Sequence, residues 1–405
     1  MEATSSLTAS LDHLIELSQN DPTVDRLNQF ADELFEVKTA VITQLSAGVV
    51  DNKKALNKKL KAVVKAGNLL ISHDFSKDEG AAYEAKSDTK AYITYLKCFS
   101  IIACCELPEP LAPLQRICAQ SSNEILTHLN KIPSNTEAPC TIAKKHSLWN
   151  RYLNTMPYDF NCVKLDSDRY ISATDTHLED KRYLIASAPF IRFTDGTYLD
   201  TRENWWRMIL EHDTRLIVMT TNLYENGKNK CLDYFQNPGT VNSALGNLRD
   251  NWICESVKAK KVKSRNGQGI FKRTIQMKGP DDEKRTIVHL QYHNWPDFGA
   301  SDPKLFLKFH EMMTVEEAKF STKEHPPLFH CSAGLGRTGT TLALVLMLDR
   351  LMKSPDPLNE CLDFDSYISS LRLQRAGMVT TSVQYKMIAR VLLEYLINES
   401  KSKEV

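Results

Sequence analysis

The sequence predicts an α/β (α+β) domain, a central twisted mixed sheet flanked by helices, preceded by an all-α amino-terminal helical domain. Three observations predict it. Residues 1–131 carry apolar side chains at helical spacing, a polar segment with two prolines follows at 132–141, and from 142 to 400 short apolar runs alternate with helix-like stretches. The 405 residues are 42% hydrophobic, 25% charged and 8% aromatic, which supplies more than one core and excludes wholesale disorder. With 51 Lys+Arg against 50 Asp+Glu the net charge is +1, so no nucleic-acid partner is expected.

In the first domain, Asp21-Pro22 places a capping residue before a proline at the first helical position. Leu27, Phe30, Leu34, Val37 and Val41 then recur at threes and fours. A second helix carries Leu56, Leu60, Val63 and Val64 among lysines, a third runs through Tyr92, Tyr95, Leu96 and Phe99, and a fourth through Leu114, Ile117, Ile125 and Leu129. The segment IPSNTEAPCT (132–141) reads as a linker. Beyond it, RLIVMTTNL (215–223), RTIVHLQYH (285–293) and PPLFHC (326–331) are strand-like. ENWWRMIL (203–210), TGTTLALVLMLDRLM (338–352) and VQYKMIARVLLEYLI (383–397) are helix-like.

Ten cysteines show no C-x-x-C pair or ligand spacing, and the eleven histidines no metal motif. Cys104-Cys105, in an apolar run, reads as core. The amino terminus lacks the basic start and apolar run of a secretory signal, and no apolar stretch reaches the eighteen or so residues of a membrane span. The expectation is a soluble, cytoplasmic protein in a reducing compartment.

The most informative string is PPLFHCSAGLGRTGTTLALVL. An apolar strand ends at His330, a glycine-rich loop runs from Cys331 through Ser332, Ala333, Gly334, Leu335 and Gly336 to Arg337, and a helix begins near Thr338. Such a loop lets its backbone N–H groups converge on one anion, and the helix behind adds its positive dipole end. The same field lowers the pKa of Cys331 and holds it as thiolate. Arg337 supplies a planar fork for two phosphoryl oxygens. A thiolate at the bottom of an oxyanion cradle points to phosphoryl transfer through a covalent intermediate.

Two duller readings compete. A cysteine ending a buried strand is ordinarily a core residue, but glycines and an arginine do not suit a packed core. Gly334, Gly336 and Gly339 also spell G-x-G-x-x-G, a dinucleotide fingerprint. That fingerprint wants an acidic residue ending a second strand about twenty positions on. Glu360 and Asp363 sit instead near a loop and a helix, and an arginine in the turn would crowd a pyrophosphate.

HCSAGLGRTG resembles the signature of the cysteine-dependent protein tyrosine phosphatases. NRYLNTMPYD (150–159) resembles that family's phosphotyrosine-recognition loop, WPDFG (295–299) its mobile acid loop and LRLQRAGMVTTSVQY (371–385) its glutamine-loop region, in the family order. The resemblance covers about 146–398 and says nothing of the first 140 residues. It implies a phosphotyrosine-protein substrate and a reaction needing no metal or other cofactor. Asp297 would be general acid, then general base. Tyr152 would stack on the phosphotyrosine ring and deepen the pocket beyond the reach of phosphoserine, and Asn154 would meet the substrate backbone. Glu225 would orient Arg337, Lys230 would meet the acid loop, and Thr338 would hydrogen-bond the departing thiolate.

The chain departs from the family in two places. Thr380 stands where the family carries the glutamine that positions the hydrolytic water, while Gln384 keeps the family's second glutamine. A slower second step is expected unless Gln384 takes over. In DSDRYISATD (166–175), Ser172 and Thr174 replace more usual residues of a substrate loop, which bears on peptide preference. The basic run VKAKKVKSRNGQGIFKR (257–273) reads as a solvated hairpin before an anionic-lipid or acidic-peptide site.

Two other functions fit parts of the chain. A phosphatase of phosphoinositides or RNA 5′ triphosphates would share the cysteine loop without the Tyr152 loop and WPDFG, and a non-catalytic phosphotyrosine binder is suggested by Thr380 alone. The helical first domain reads as a partner-binding, targeting or export module. Bacterial virulence phosphatases and eukaryotic cytosolic enzymes both share this layout, so a secreted effector acting in a host cytosol is a second location.

Overall fold

The computed structural model describes residues 2–19, 23–46, 53–72, 111–166, 169–194, 196–246, 252–320, 324–360 and 362–403. It forms two compact units, Met1–Ala119 and Gln120–Val405. The expected boundary after residue 131 thus falls inside the second unit. Arg372 is the reason: its buried guanidinium donates to the carbonyls of Leu129 at 2.6 Å and Ile132 at 3.2 Å. The 132–141 segment is anchored as well, because the Asp159 amide donates to the Pro139 carbonyl at 2.8 Å.

The first unit contains helices α1 (Glu2–Leu17), α2 (Val24–Ser46), α3 (Lys53–Ile71) and α4 (Ala112–Ala119). Leu7, Leu11 and Leu14 from α1, Leu27, Phe30 and Leu34 from α2, and Leu56, Leu60 and Val63 from α3 share one core at the expected helical period. Helix α1 is not among the expected elements. The Asp21-Pro22 start, the helix through Tyr92 and Phe99, and Cys104-Cys105 lie outside the described residues.

The fourth expected helix is two. Helix α5 (Ser122–Leu129) starts separately from α4 because Ser121 caps it. The Glu124 amide donates to Ser121 Oγ at 3.2 Å and the Ser121 amide donates to the Glu124 carboxylate at 2.7 Å, a reciprocal box that halts any run-through.

The second unit continues with α6 (Thr141–Lys145), β1 (Ala173–Leu178), β2 (Lys181–Ala186), β3 (Ile191–Thr194), β4 (Thr197–Asp200), α7 (Arg202–Glu211) and β5 (Leu216–Met219). Then come β6 (Tyr224–Glu225), β7 (Lys228–Asn229), α8 (Pro238–Leu245), β8 (Ile253–Arg265), β9 (Gln268–Lys278) and β10 (Lys284–His293). The last elements are α9 (Pro303–Phe320), β11 (Leu328–His330), α10 (Gly336–Lys353), α11 (Phe364–Gln374) and α12 (Ser382–Lys403).

Seven strands form one mixed sheet in the order β1-β2-β11-β5-β10-β9-β8. The β2-β11-β5-β10 centre is parallel and both flanks are antiparallel. Every residue of β5 and β11 is buried, as parallel strands covered on both faces must be. On one face Trp205, Trp206 and Ile209 of α7 and Val241 of α8 pack on Leu184, Ala186, Ile217, Met219 and Leu328. Helix α10 is buried along nearly its whole length and packs with α11 and α12. The basic run is a hairpin, its strands β8 and β9 joined at Asn266 (φ 50°) and Gly267 (φ 74°), the left-handed pair a two-residue turn requires.

Among the described residues no helix is long and apolar enough to cross a membrane, and no group of three or more His, Cys, Asp or Glu could hold a metal.

Trp205 is fully buried, with its ring 5.2 Å from Tyr234 and 4.9 Å edge-on to His330. Trp205→Ala is expected to destabilise the second unit by about 3–5 kcal/mol, read from the urea midpoint at constant slope.

Candidate active site

The central strand β11 ends at His330, and the chain from Cys331 to Leu335 turns into α10 at Gly336. The helix thus begins earlier than Thr338, and Arg337 lies in its first turn rather than in the loop. The carbonyls of the loop are held outward. That of Ser332 accepts from the Ala188 amide at 2.9 Å, that of Ala333 from Ser187 Oγ at 3.0 Å, and that of Leu335 from the Gly339 amide at 2.7 Å. Because each peptide plane opposes its C=O to the next N–H, the amides of Ala333, Gly334 and Gly336 turn to the other side. The Gly334 amide accordingly donates to Cys331 Sγ at 3.3 Å.

The three glycines are explained by close approach. A Cβ on Gly334 (φ 72°) would stand 2.4 Å from the Ala186 carbonyl oxygen. One on Gly336 would meet Gln384 Nε2 at 2.8 Å, and one on Gly339 the Val379 nitrogen at 2.6 Å. They pack the loop against β2 and the glutamine loop.

Cys331 is fully buried, and burial alone would push its thiol pKa up. The Arg337 guanidinium, the Thr338 hydroxyl and amide and the Leu335 amide outweigh that and lower it. The Thr338 hydroxyl has no partner in full hydrogen-bond geometry, so its influence on the sulfur is electrostatic. Cys162, buried without such donors, has its thiol pushed up to about 11.

Arg337 is 2% exposed. Its Nη1 donates to Glu225 at 2.7 Å and to the Trp295 carbonyl at 2.9 Å, while Nη2 lies 3.2 Å from Asp297 Oδ1 without hydrogen-bond alignment. Lys230 donates to the other Asp297 oxygen at 2.5 Å. Glu225 and Lys230 reach these partners from the β6–β7 hairpin, which Asn226 (φ 49°) and Gly227 (φ 70°) close. In the acid loop, Trp295 is buried and donates to the Gly299 carbonyl at 3.0 Å. Thr381 Oγ1 donates to the Phe298 carbonyl at 3.0 Å and so ties that loop to the start of α12.

The structure therefore brings together Cys331, Ser332, Ala333, Gly334, Leu335, Gly336, Arg337, Thr338, Glu225, Lys230 and Asp297. Tyr152 joins them through its hydroxyl, 2.9 Å from Ser332 Oγ. Gln384 is buried beside Gly336, but its Oε1 accepts the amides of Thr380 at 2.8 Å and Thr381 at 3.3 Å. With the Gln384 backbone N–H donating to Thr381 Oγ1 at 3.2 Å, this caps α12 and leaves only Nε2 free of the cap. Asn154 is exposed and makes none of the hydrogen bonds that build the cradle. Ser172 and Thr174 do not face a substrate: both are buried, and Thr174 Oγ1 accepts from Arg375 at 3.0 Å. Buried in this way, neither side chain offers a contact that could set peptide preference.

Two features escaped the sequence. Arg375 is fully buried and holds the Thr155 carbonyl at 2.9 Å and the Ala333 carbonyl at 3.4 Å, joining the Tyr152 loop to the cradle from beneath. The second is a chain of hydrogen bonds behind the cysteine. The Cys331 carbonyl can only accept, so His330 Nδ1 (3.1 Å away) carries the proton and its Nε2 accepts from the Tyr234 hydroxyl at 2.7 Å. Tyr234 then accepts from His289 Nε2 at 3.2 Å, and His289 Nδ1 faces Arg273 at 3.5 Å. Burial pushes the pKa of His330 down to about 3, which keeps it the neutral link this chain needs.

A mixed sheet carrying a cysteine-to-arginine oxyanion cradle at the carboxyl end of a central parallel strand is the architecture of a cysteine-based phosphatase. A family model described as protein-tyrosine phosphatase matches residues 146–394. The chain is 33% identical over 255 residues to the human receptor-type tyrosine-protein phosphatase C, covering 61% of this chain and 18% of that protein. It is 31% identical over 258 residues to the human receptor-type tyrosine-protein phosphatase alpha, covering 61% and 29%. Against tyrosine-protein phosphatase corkscrew of Drosophila virilis it is 32% identical over 207 residues, covering 50% and 26%. The chain thus spans less than a third of the length of these relatives. It belongs to the protein-tyrosine phosphatase family.

The rate of Cys331 alkylation by iodoacetate, followed against pH, is expected to turn on below the ordinary thiol range of about 8.5. Thr338→Val and Arg337→Met each remove a lowering influence, so both move the midpoint up.

Proposed function

We propose that the protein hydrolyses phosphotyrosine in proteins through a phosphocysteine on Cys331. The observation that carries this reading is the convergence of a thiolate-stabilised Cys331, the buried Arg337 fork and the Asp297 carboxyl on one cradle. Arg337 Nη2, aligned with no acceptor, is the donor an incoming phosphoryl oxygen would take. The dianion then competes with Asp297 for that nitrogen and leaves the carboxyl to the leaving oxygen.

Cys331 Sγ attacks phosphorus as the bond to the tyrosine oxygen breaks, and Asp297 gives its proton to that oxygen. Water then attacks the phosphocysteine, Asp297 takes the water proton, the S–P bond breaks and inorganic phosphate leaves. The Thr338 hydroxyl, close to the sulfur, favours the thiolate as it departs. Tyr152, its hydroxyl on the cradle residue Ser332, walls a pocket that suits an aromatic phosphoester. We place the enzyme in the cytoplasm, where the six described cysteines would keep the free-thiol state found here.

The second step is the slower one on this reading. Thr380 lacks an amide and its hydroxyl points to the Gly377 carbonyl at 3.4 Å, while the Gln384 oxygen is engaged in capping α12. No amide oxygen is left to accept from the attacking water.

Rapid-quench assays with p-nitrophenyl phosphate are expected to show a burst of p-nitrophenol followed by slower turnover, and Thr380→Gln to speed the slow phase. Linear product formation from time zero would rule out the slow second step. With a phosphotyrosine peptide, Asp297→Ala is expected to lower kcat by about 10²–10⁴-fold. An unchanged kcat would remove Asp297 from its role.

A further inference from the structure

The β8–β9–β10 face carries a group of cationic side chains that catalysis does not use. Phe271 is at its centre: Arg273 Cζ lies 5.7 Å from the ring centroid, Lys261 Nζ 6.0 Å and the His293 ring 5.5 Å. Strand register gathers them. Lys261 pairs with Phe271 across β8–β9, Phe271 with Gln291 across β9–β10, and the two-residue period sets Arg273 and His293 on the same face.

None of the three forms an ion pair among the described residues. Arg273 is half-buried over the Phe235 ring at 4.5 Å, and its hydrogen bonds go only to the neutral acceptors His289 and Gln291. Burial pushes the pKa of Arg273 down, and burial together with Arg273 and Lys261 does the same to His293, with Glu225 opposing. Lysines on a solvated edge strand are ordinary protection against edge pairing, and they account for the exposed Lys258, Lys260 and Lys263. A half-desolvated arginine with unused donors and no carboxylate in ion-pair contact is not explained that way, since Asp233 acts on Arg273 only through space and charge removed from water demands a counter-charge.

We propose that Lys261, Arg273 and His293, floored by Phe271, form a subsite for an oxyanion, separate from the Cys331 cradle. It takes the phosphate or carboxylate group of a bound peptide, or free phosphate. Its place at the root of the acid loop, two residues before Trp295, and the share of Arg273 in the chain behind His330 set it beside the machinery without entering it.

The test is a titration of the full chain followed at two probes, the His293 ring and the Gly334 amide, by NMR. Inorganic phosphate is the first ligand and an unphosphorylated glutamate-rich peptide the second. With at least one of them the His293 signal should saturate and the ring pKa should rise. Saturation by phosphate identifies a free ion, and saturation by the peptide identifies acidic side chains. Lys261→Glu, a change at an exposed residue, should weaken the His293 curve about fivefold or more and leave the phosphate response of Gly334 unchanged. No saturation with either ligand, or a His293 curve indifferent to Lys261→Glu, would overturn the proposal.

Discussion

The site depends on the burial of one guanidinium. Removing Arg337 from water costs several kcal/mol unless carboxylates and carbonyls replace the lost hydration. Glu225, the Trp295 carbonyl, Asp297 and the Cys331 sulfur supply that replacement, from three separate parts of the chain. Arg337 therefore does two things at once. It lowers the pKa of the Cys331 thiol, and it collects the hairpin and the acid loop around the cradle.

The rest of the unit makes that gathering possible by close approach and fixed backbone. Gly334 and Gly339 let the loop lie against Ala186 and Val379 where a side chain would collide. Two residues without a glycine's freedom, Phe298 (φ 57°) and Val379 (φ 58°), also sit in the left-handed region. Both are pinned: Thr381 holds the Phe298 carbonyl, and Arg372 holds that of Val379 at 3.0 Å. The strained positions flank the cradle, where over-determined geometry is what keeps donors aimed before substrate arrives.

The geometry of the site was legible where it was local. Cys331, Arg337 and the glycines between them lie within one strand-loop-helix turn, and Asp297 sits in a short loop with its own anchor and hinge. The central strands could be read as continuous apolar runs and the helices of the first unit from their period. What escaped was set by distant contacts or short caps. Arg375 binds carbonyls more than two hundred residues away in sequence or across the fold, and nothing in its neighbours marks it. The division between α4 and α5 rests on the single box Ser121–Glu124, which an apolar period runs straight through. Ser172 and Thr174 looked like loop residues because a buried arginine that uses their hydroxyl neighbourhood cannot be seen in a linear string. The capping role of Gln384 depends on the position of the helix start, which its amide side chain does not reveal.

The central claim is that the Cys331 sulfur itself carries the phosphoryl group. Its most direct measurement is acid quenching of the full chain within the first turnover of a ³²P-labelled phosphotyrosine peptide, followed by mapping of the labelled fragment. Label that survives the quench is expected on the fragment containing Cys331 and is expected to be absent from Cys331→Ser. Label on another residue, or turnover by Cys331→Ser at the rate of the unchanged chain, would contradict it.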